Sequence, residues 1–318
     1  MQIKLGVVMD PIDYIKIYKD STFAMLLAAQ RRGWHLSYME LGDLSLQQNQ
    51  TVALMRTLQV MDNSQSWFKF SESKQDFLNT LDIVLMRKDP PFDIEYLMAT
   101  HILEQAEKQG VLVVNRPASL RDANEKLFAL NFPQCCPPTI VTRKFAILRD
   151  FYHTHGDIIL KPLNAMGGTS VFRLRPNDPN TSVIFETLTD YERCFIMAQK
   201  FIPEIAAGDK RVLMIDGVAV PYALARIPAP GEVRGNLAAG GTGIGIALSA
   251  QDQWIAAQVG PTLRERGIVF AGLDIIGNYL TEINVTSPTC IRELDRIFNL
   301  DIADQFLSAC ERKLTNSN

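Results

Sequence analysis

The stretch VFAGLDIIGNYLTEINV, residues 269–285, limits the fold more than any other part of the chain. Two apolar runs flank a Gly277-Asn278 turn signal, the pattern of a core hairpin. Yet Asp274, Glu282 and Asn284 stand where Val or Leu would be expected. Burying an unpaired carboxylate costs on the order of several kcal/mol, so the fold must bring a compensating charge to these strands. Glu282 and Asn284 are two apart and share a strand face. A regular ladder closed by a two-residue turn would pair residue 274 with 281 and send Asp274 to the opposite face. Setting Asp274 opposite Glu282 requires a three- or five-residue connection, most simply Gly277-Asn278-Tyr279, or an equivalent bulge. An oxygen-only set of Asp, Glu and Asn suits Mg²⁺, which keeps waters and substrate phosphates as further ligands.

The hairpin lies late in a chain of 318 residues, long enough for two or three lobes. The first ~120 residues alternate strand and helix patterns, as expected of an open α/β sheet. KLGVVMD (4–10), HLSYMEL, LDIVLMR (81–87) and GVLVVN (110–115) read as strands. DSTFAMLLAAQRRGW (20–34), capped by Asp20 or Ser21, and a segment near 93–109 read as helices, as does LRDANEKLFAL. The first turn lacks G-x-G-x-x-G, which argues against a dinucleotide site. Residues 45–76 show only short polar segments and read as a connecting excursion. From about 139 the pattern becomes α+β. DIILKPL and TSVFRLR flank NAMGG, a hairpin is expected across Asp216-Gly217, and a helix over 250–266. Residues 228–248 hold six glycines and two prolines without helical or strand period, which suits a functional loop.

The chain lacks a nucleophile–base set. No G-x-S-x-G occurs, no cysteine neighbours a plausible base, and the four histidines lie away from the glycine loops in sequence. Five cysteines without metal spacing read as free thiols, with Cys135-Cys136 as a vicinal redox pair the alternative. A net charge of −3 with no long basic run argues against nucleic acid and anionic membrane as partners. Apolar runs are strand-length, and the N-terminus reads as a first strand rather than a signal peptide, so a cytoplasmic protein is expected.

What remains is lysine, arginine, glycine loops and carboxylates, the means of handling phosphate by position and charge. Lys161 ends a strand and is followed by a loop carrying Gly167-Gly168, so an ammonium and backbone N–H groups can converge on phosphates. The plain alternative is a solvated strand end beside a hairpin turn. Lys126 alone reads most simply as a surface charge on a helix. Gln199-Lys200-Phe201-Ile202 is an ordinary strand end or a hinge that reads an adenine edge. Asp209 and Arg211 are a surface ion pair or part of a site. Arg226 and Arg234 flank or sit in the glycine-rich loop, where a guanidinium can fork onto carboxylate or phosphate. Ser287-Pro288 reads as a helix start, Ser at the N-cap and Pro at the first helical position.

In this order the motifs resemble the ATP-grasp ligases over roughly 120–311, and bacterial glutathione synthetases over almost the whole chain. The stretches that carry the resemblance are KLGVVMDPI, LMRKDPPFD, SLRDANEKLF, IILKPLNAMGG, MAQKFIPEI, AAGDKRV, ARIPAPGEVRGNLAAGG and GLDIIGNYLTEINVTSPTCIRE. The resemblance implies an α/β substrate-binding domain over 1–122 and a two-lobed ATP-grasp domain over 123–318, the lid lobe at about 123–200 and the metal hairpin within 201–318. It makes Lys126 and Lys161 ligands of the ATP phosphates, with Gly167 and Gly168 in the flap above them. It places adenine at Gln199, Lys200, Phe201 and Ile202, and the ribose and phosphate region near Asp209 and Arg211. Asp274, Glu282 and Asn284 become a site for two Mg²⁺ ions, with Mn²⁺ as a substitute.

Arg226 and Arg234 become catalytic by the same resemblance, and Arg87, Lys88, Ser287, Pro288 and Thr289 surround the substrates. The implied reaction joins glycine to γ-glutamylcysteine with ATP as co-substrate, through an acyl phosphate shielded by the 228–248 loop, in a cytoplasmic homotetramer. Another ATP-grasp carboxylate–amine ligase is the alternative. The chain departs from the family pattern at Asn164, where similar sequences tend to carry Asp, and at Thr242, where they tend to carry Arg.

Overall fold

The computed structural model describes residues 2–229, Gly235 and 240–317. Its N-terminal sheet forms around β1 (Lys4–Val8), which is followed by α1 (Ser21–Arg31) and β2 (His35–Met39). Asp20 caps α1, its carboxylate accepting from Phe23 N. β3 (Leu44–Gln47), β4 (Gln50–Val60) and β5 (Phe68–Phe77) then extend the sheet by antiparallel pairing. β6 (Ile83–Met86), α2 (Ile94–Lys108) and β7 (Leu112–Val114) complete a parallel run β2-β1-β6-β7. Leu5, Val7, Val8 and all of β6 are buried, as expected for central parallel strands covered on both faces.

Residues 45–76 are therefore not a structureless excursion; most of them build β3, β4 and β5. The alternation of β5 (FKFSESKQDF) is polar because this strand is largely exposed, so it offers little apolar period to read. The helix expected over LRDANEKLFAL is two short helices, α3 (Pro117–Asp122) and α4 (Glu125–Ala129). Asn124 separates them because its carboxamide oxygen caps Lys126 N and Leu127 N.

A second sheet, wholly antiparallel in the order β10-β9-β11-β8, comprises β8 (Thr139–Thr142), β9 (Ile158–Pro162), β10 (Phe172–Leu174) and β11 (Ile196–Lys200). α5 (Phe145–His155) and α6 (Thr181–Thr189) belong to this layer, and Leu148, Phe151 and Phe185 enter its core. The third sheet, β14-β13-β12-β15-β16, is also antiparallel. It contains β12 (Asp209–Ile215), β13 (Val218–Ile227), β14 (Thr242–Ala247), β15 (Phe270–Ile276) and β16 (Tyr279–Asn284). α7 (Ala250–Glu265) packs on it, begun by a Ser249–Asp252 capping box, and α8 (Ile291–Phe298) and α9 (Ile302–Ser317) close the chain.

One buried side chain ties the first sheet to the third. Asn115, just past β7, donates from Nδ2 to Phe270 O and Val285 O (both 2.7 Å). Its Oδ1 accepts from Val269 N (2.8 Å) and Phe270 N (3.0 Å). All four hydrogen-bonding positions of the amide are used, so the start of β15 and the exit of β16 are held at a fixed place beside the parallel sheet. Among the described residues no helix is long and apolar enough to cross a membrane.

Candidate active site

A cavity of about 510 Å³ is lined from all three sheets. Ile159, Lys161 and Gln199 come from the second sheet, and Asp209, Arg211, Arg226, Asp274, Glu282 and Asn284 from the third. Asp10 and Asp89, in the loops after β1 and β6, line it from the first. That is where ligands gather on open α/β sheets, outside the carboxyl ends of parallel strands.

The third sheet arranges its charges in rows. Arg211, Asp274 and Glu282 are directly opposite one another across β12, β15 and β16, and Arg226 is opposite Asp209 across β13 and β12. Gly272 leaves room for the row: a Cβ there would stand 2.8 Å from Arg211 Cδ. The hairpin reaches this register by a bulge and not by the longer connection expected across Gly277-Asn278. Gly277-Asn278 is a two-residue turn, with Gly277 at φ +55°, so no three- or five-residue connection is present. Instead Ile275 pairs with Leu280 and Asp274 with Glu282, leaving Thr281 as an unpaired bulge residue. The Thr281 hydroxyl donates to Asp274 O (3.1 Å), and the Thr281 carbonyl accepts from Lys161 Nζ at 3.5 Å.

Asp274 is compensated by arginine. Arg211 Nε and Nη2 donate to its two oxygens (2.6 and 3.2 Å), and Arg226 Nη2 lies 2.8 Å from Oδ2. Burial opposes its ionisation, but the two guanidinium groups prevail and hold Asp274 well below the usual carboxylate range. Among the described residues Asp209 pairs with Arg226 (2.5 Å); burial, with the charge of Asp274 alongside, pushes its carboxyl up to about 6. Its Oδ1 is buried with no hydrogen-bond partner among the described residues. The pair thus places the more readily retained proton on Asp209.

The lysines are interior groups, not the solvated charges of the plain alternatives. Lys126 Nζ donates to Ala165 O (2.6 Å) and Glu282 Oε1 (3.4 Å). Lys161 Nζ donates to Gln199 Oε1 (3.1 Å), and burial lowers its pKa. Gly167, Gly168, Gln199, Lys200, Phe201, Ile202, Ser287, Pro288 and Thr289 also line the cavity. Arg234 lies outside the described residues, as does the rest of 230–239 apart from Gly235, which lines the cavity; the end of the expected 228–248 loop is instead strand β14, paired with β13.

Arg87 and Lys88 are not brought to the cavity wall. Arg87 is buried behind it, donating from Nη2 to Pro288 O and from Nε to Thr22 Oγ1 (both 3.0 Å). Lys88 pairs with Asp10 at 2.8 Å and so shapes a loop that does line the cavity. Ser287-Pro288 is not a helix start, since α8 begins at Ile291 with Cys290 at its N-cap in left-handed backbone, φ +95°. The physical reason is distant in sequence: Arg87 holds the Pro288 carbonyl, and Ser21 Oγ accepts from Ile291 N (3.2 Å). Cys135 and Cys136 are both free, and the Cys136 thiol donates to Ala129 O (3.2 Å).

Glu125 was not singled out from sequence, yet it lines the cavity beside Lys126. Burial first, and the charge of Glu282 second, raise its pKa. Its signal was its place next to the lysine in Asn124-Glu125-Lys126, just after a helix cap.

The donor chemistry fits a divalent cation at Glu282 and Asn284. Asn284 Nδ2 donates to Gly272 O (3.2 Å), which leaves the carboxamide oxygen available, and Glu282 keeps Oε2. Both are hard oxygen donors of the kind Mg²⁺ takes alongside phosphate. Asp274 has both oxygens committed to guanidinium groups. Among the described residues no three His, Cys, Asp or Glu side chains form a metal-binding cluster, so an ion here depends on asparagine and on ligand oxygens.

Residues 3–121 match the family model described as prokaryotic glutathione synthetase, N-terminal domain, and residues 125–299 match prokaryotic glutathione synthetase, ATP-grasp domain. The chain is 59% identical over 314 residues to a glutathione synthetase of Pseudomonas putida, with 99% of each chain covered. It is 57% identical over 314 residues to one of Vibrio vulnificus, again with 99% of each covered. Among solved structures, D-cycloserine synthetase DcsG superposes with a TM-score of 0.68 at 15% identity, covering 98% of this chain and 99% of that one. The ATP-grasp ligase PsnB, complexed with minimal precursor, Mg and ADP, gives 0.62 at 15% identity with 98% of each covered. At that identity the likeness establishes the fold.

Proposed function

Because the chain belongs to the prokaryotic glutathione synthetase family, we infer that it is an ATP-dependent carboxylate–amine ligase that joins glycine to γ-glutamylcysteine. The observation that carries this reading at the level of the site is convergence. Two interior lysines, two arginines and an oxygen-bearing hairpin meet in one cavity lined from all three sheets.

A carboxylate is a poor electrophile. Transfer of the γ-phosphoryl group of ATP to the cysteinyl carboxylate gives an acyl phosphate; the glycine amine then attacks that carbon, and phosphate leaves as the amide forms. Catalysis of this kind is mostly positioning and charge stabilisation. We assign Lys126 and Lys161 to the ATP phosphates, with the backbone of Gly167-Gly168 beside them. Gln199 to Ile202 takes the adenine edge, and Asp209, which also lines the cavity, accepts a ribose hydroxyl. Arg211 and Arg226 face the charge that develops on the transferred group, with Arg234 of the glycine-rich loop as a further cation. Ser287, Pro288 and Thr289 border the dipeptide and glycine, and Arg87 acts from behind by holding the Pro288 carbonyl.

ATP-grasp ligases use ATP with divalent metal ions. In this chain Glu282 and Asn284 would hold two Mg²⁺ ions, or Mn²⁺ in their place, and Asp274 would join them once ligand phosphates draw Arg211 or Arg226 away. When bound, such ions neutralise the phosphate oxygens and orient them for transfer. Residues 1–122 form the substrate domain in this reading, and 123–200 and 201–318 are the two ATP-grasp lobes. The protein works in the cytoplasm as a homotetramer.

The test measures ADP release with ATP and Mg²⁺ while γ-glutamylcysteine and glycine are omitted in turn. Turnover that needs both, with glutathione formed in step with ADP, is the expected result. No turnover with both present would overturn the assignment, and equal turnover with other acceptor amines would widen it.

A further inference from the structure

The carboxylate of Glu125 has an uneven set of partners. Oε1 accepts three hydrogen bonds, from Val285 N (2.8 Å), Thr286 N (3.0 Å) and Thr286 Oγ1 (2.8 Å). These donors are the first two residues beyond Asn284, where β16 leaves the sheet. Oε2 has no hydrogen-bond partner among the described residues, and Glu125 lines the cavity together with Glu282 and Asn284. The next residue, Lys126, bonds Glu282 itself (3.4 Å). Glu125 is half-buried at the cavity that Glu282 and Asn284 line, so its carboxylate adds negative charge to the wall where a cation would meet those two metal-type donors.

We propose that Glu125 is a positioning residue for the divalent cation of this site: through Oε1 it fixes the strand exit that carries Asn284, and through Oε2 it adds an outer negative charge facing the ion. The proposal rests on the reading of Glu282 and Asn284 as metal ligands. Groups that support metal ligands from outside contribute about 10- to 100-fold in metal affinity or activity when altered.

Substitution separates the two parts. Glu125→Gln keeps an oxygen for the three donors and removes the charge; Thr286→Val keeps the charge and removes one donor. Mn²⁺ binding is measured by titration in the presence of ADP, ADP binding in EDTA, and thermal stability for each protein. Glu125→Gln is expected to weaken Mn²⁺ binding at least tenfold, with ADP affinity in EDTA and melting temperature near those of the wild type. Thr286→Val is expected to weaken Mn²⁺ binding less than threefold. Mn²⁺ affinity of Glu125→Gln within twofold of the wild type would overturn the proposal, as would an equal loss in Thr286→Val. Glu282→Gln is the check on the underlying reading: if it too binds Mn²⁺ like the wild type, the metal assignment fails, not only the role of Glu125.

Discussion

Asp274 and Glu282 stand directly opposite each other across β15 and β16, and they do so because Thr281 is an extra residue on one strand only. A two-residue turn and a bulge together give the opposition that a longer connection was expected to provide. The bulge also turns the Thr281 carbonyl towards Lys161. The side chain has a smaller part, a single bond to Asp274 O. Thr281→Val should therefore cost about 1 kcal/mol in urea unfolding, the usual net worth of one hydrogen bond, and leave turnover within about threefold. A loss of kcat far beyond that would show that the hydroxyl itself reaches the substrates.

Lys161 is buried with no carboxylate in ion-pair contact among the described residues; its ammonium meets Gln199 Oε1 and the Thr281 carbonyl. A desolvated cation without a counter-charge adds little to the stability of the empty protein. Lys161→Met is expected to leave the melting temperature of the nucleotide-free protein unchanged or higher. ADP affinity should fall about 10- to 100-fold, the worth of one hydrogen bond to a charged group. Calorimetric titration with ADP decides it, and wild-type affinity would remove Lys161 from the phosphate site.

Much of this was legible where a residue contradicted its local pattern. Asp274, Glu282 and Asn284 break an apolar hairpin, and that cost alone points to a site. The strand β5 was not legible, because its Ser, Glu, Lys and Gln face water; β4 carries an apolar run, with Val52, Ala53, Met55, Leu58 and Val60 buried, and was missed although its signal is present. Ser287-Pro288 misled for a different reason. Its local signal is that of a helix start, but Arg87 and Ser21, more than 200 residues earlier in the chain, decide where α8 begins. Lys126 read locally as a surface charge; only the approach of the Ala165 carbonyl and of Glu282 makes it interior. Cross-sheet partners leave no trace in local period, so burial of charge is found from sequence only when several such residues fall together.

Asp274 is the shared counter-ion of two buried guanidinium groups. Among the described residues, Asp274→Asn leaves Arg211 with no carboxylate partner and Arg226 with Asp209 alone. Removing one member of a buried ionic network costs about 3–5 kcal/mol, and urea unfolding at neutral pH should show a loss of that order. Arg211→Met in the same background should recover part of it, because the stranded cation is gone. If the double variant is less stable than Asp274→Asn alone, the guanidinium is held by something other than this carboxylate.

Asp209 carries the pH dependence that the cluster predicts. Its folded-state value of about 6 lies above the ordinary value of about 3.9 for an unfolded aspartate. Between those values the folded protein binds more protons at this site than the unfolded chain, so its contribution to stability grows as pH falls through that window. From pH 7 to pH 5 the gain is about 1 kcal/mol. Asp274 has the opposite sign: held below the usual range, it contributes fully across pH 5–7 and loses its contribution only below about pH 4. Comparing the wild type with Asp209→Asn between pH 7 and pH 5 therefore isolates Asp209. The wild type should gain about 1 kcal/mol relative to the variant on acidification, read from urea unfolding at the two pH values. A difference that stays constant, or moves the other way, would mean that Asp209 is as readily ionised in the fold as in the free chain and that the proton is not held there.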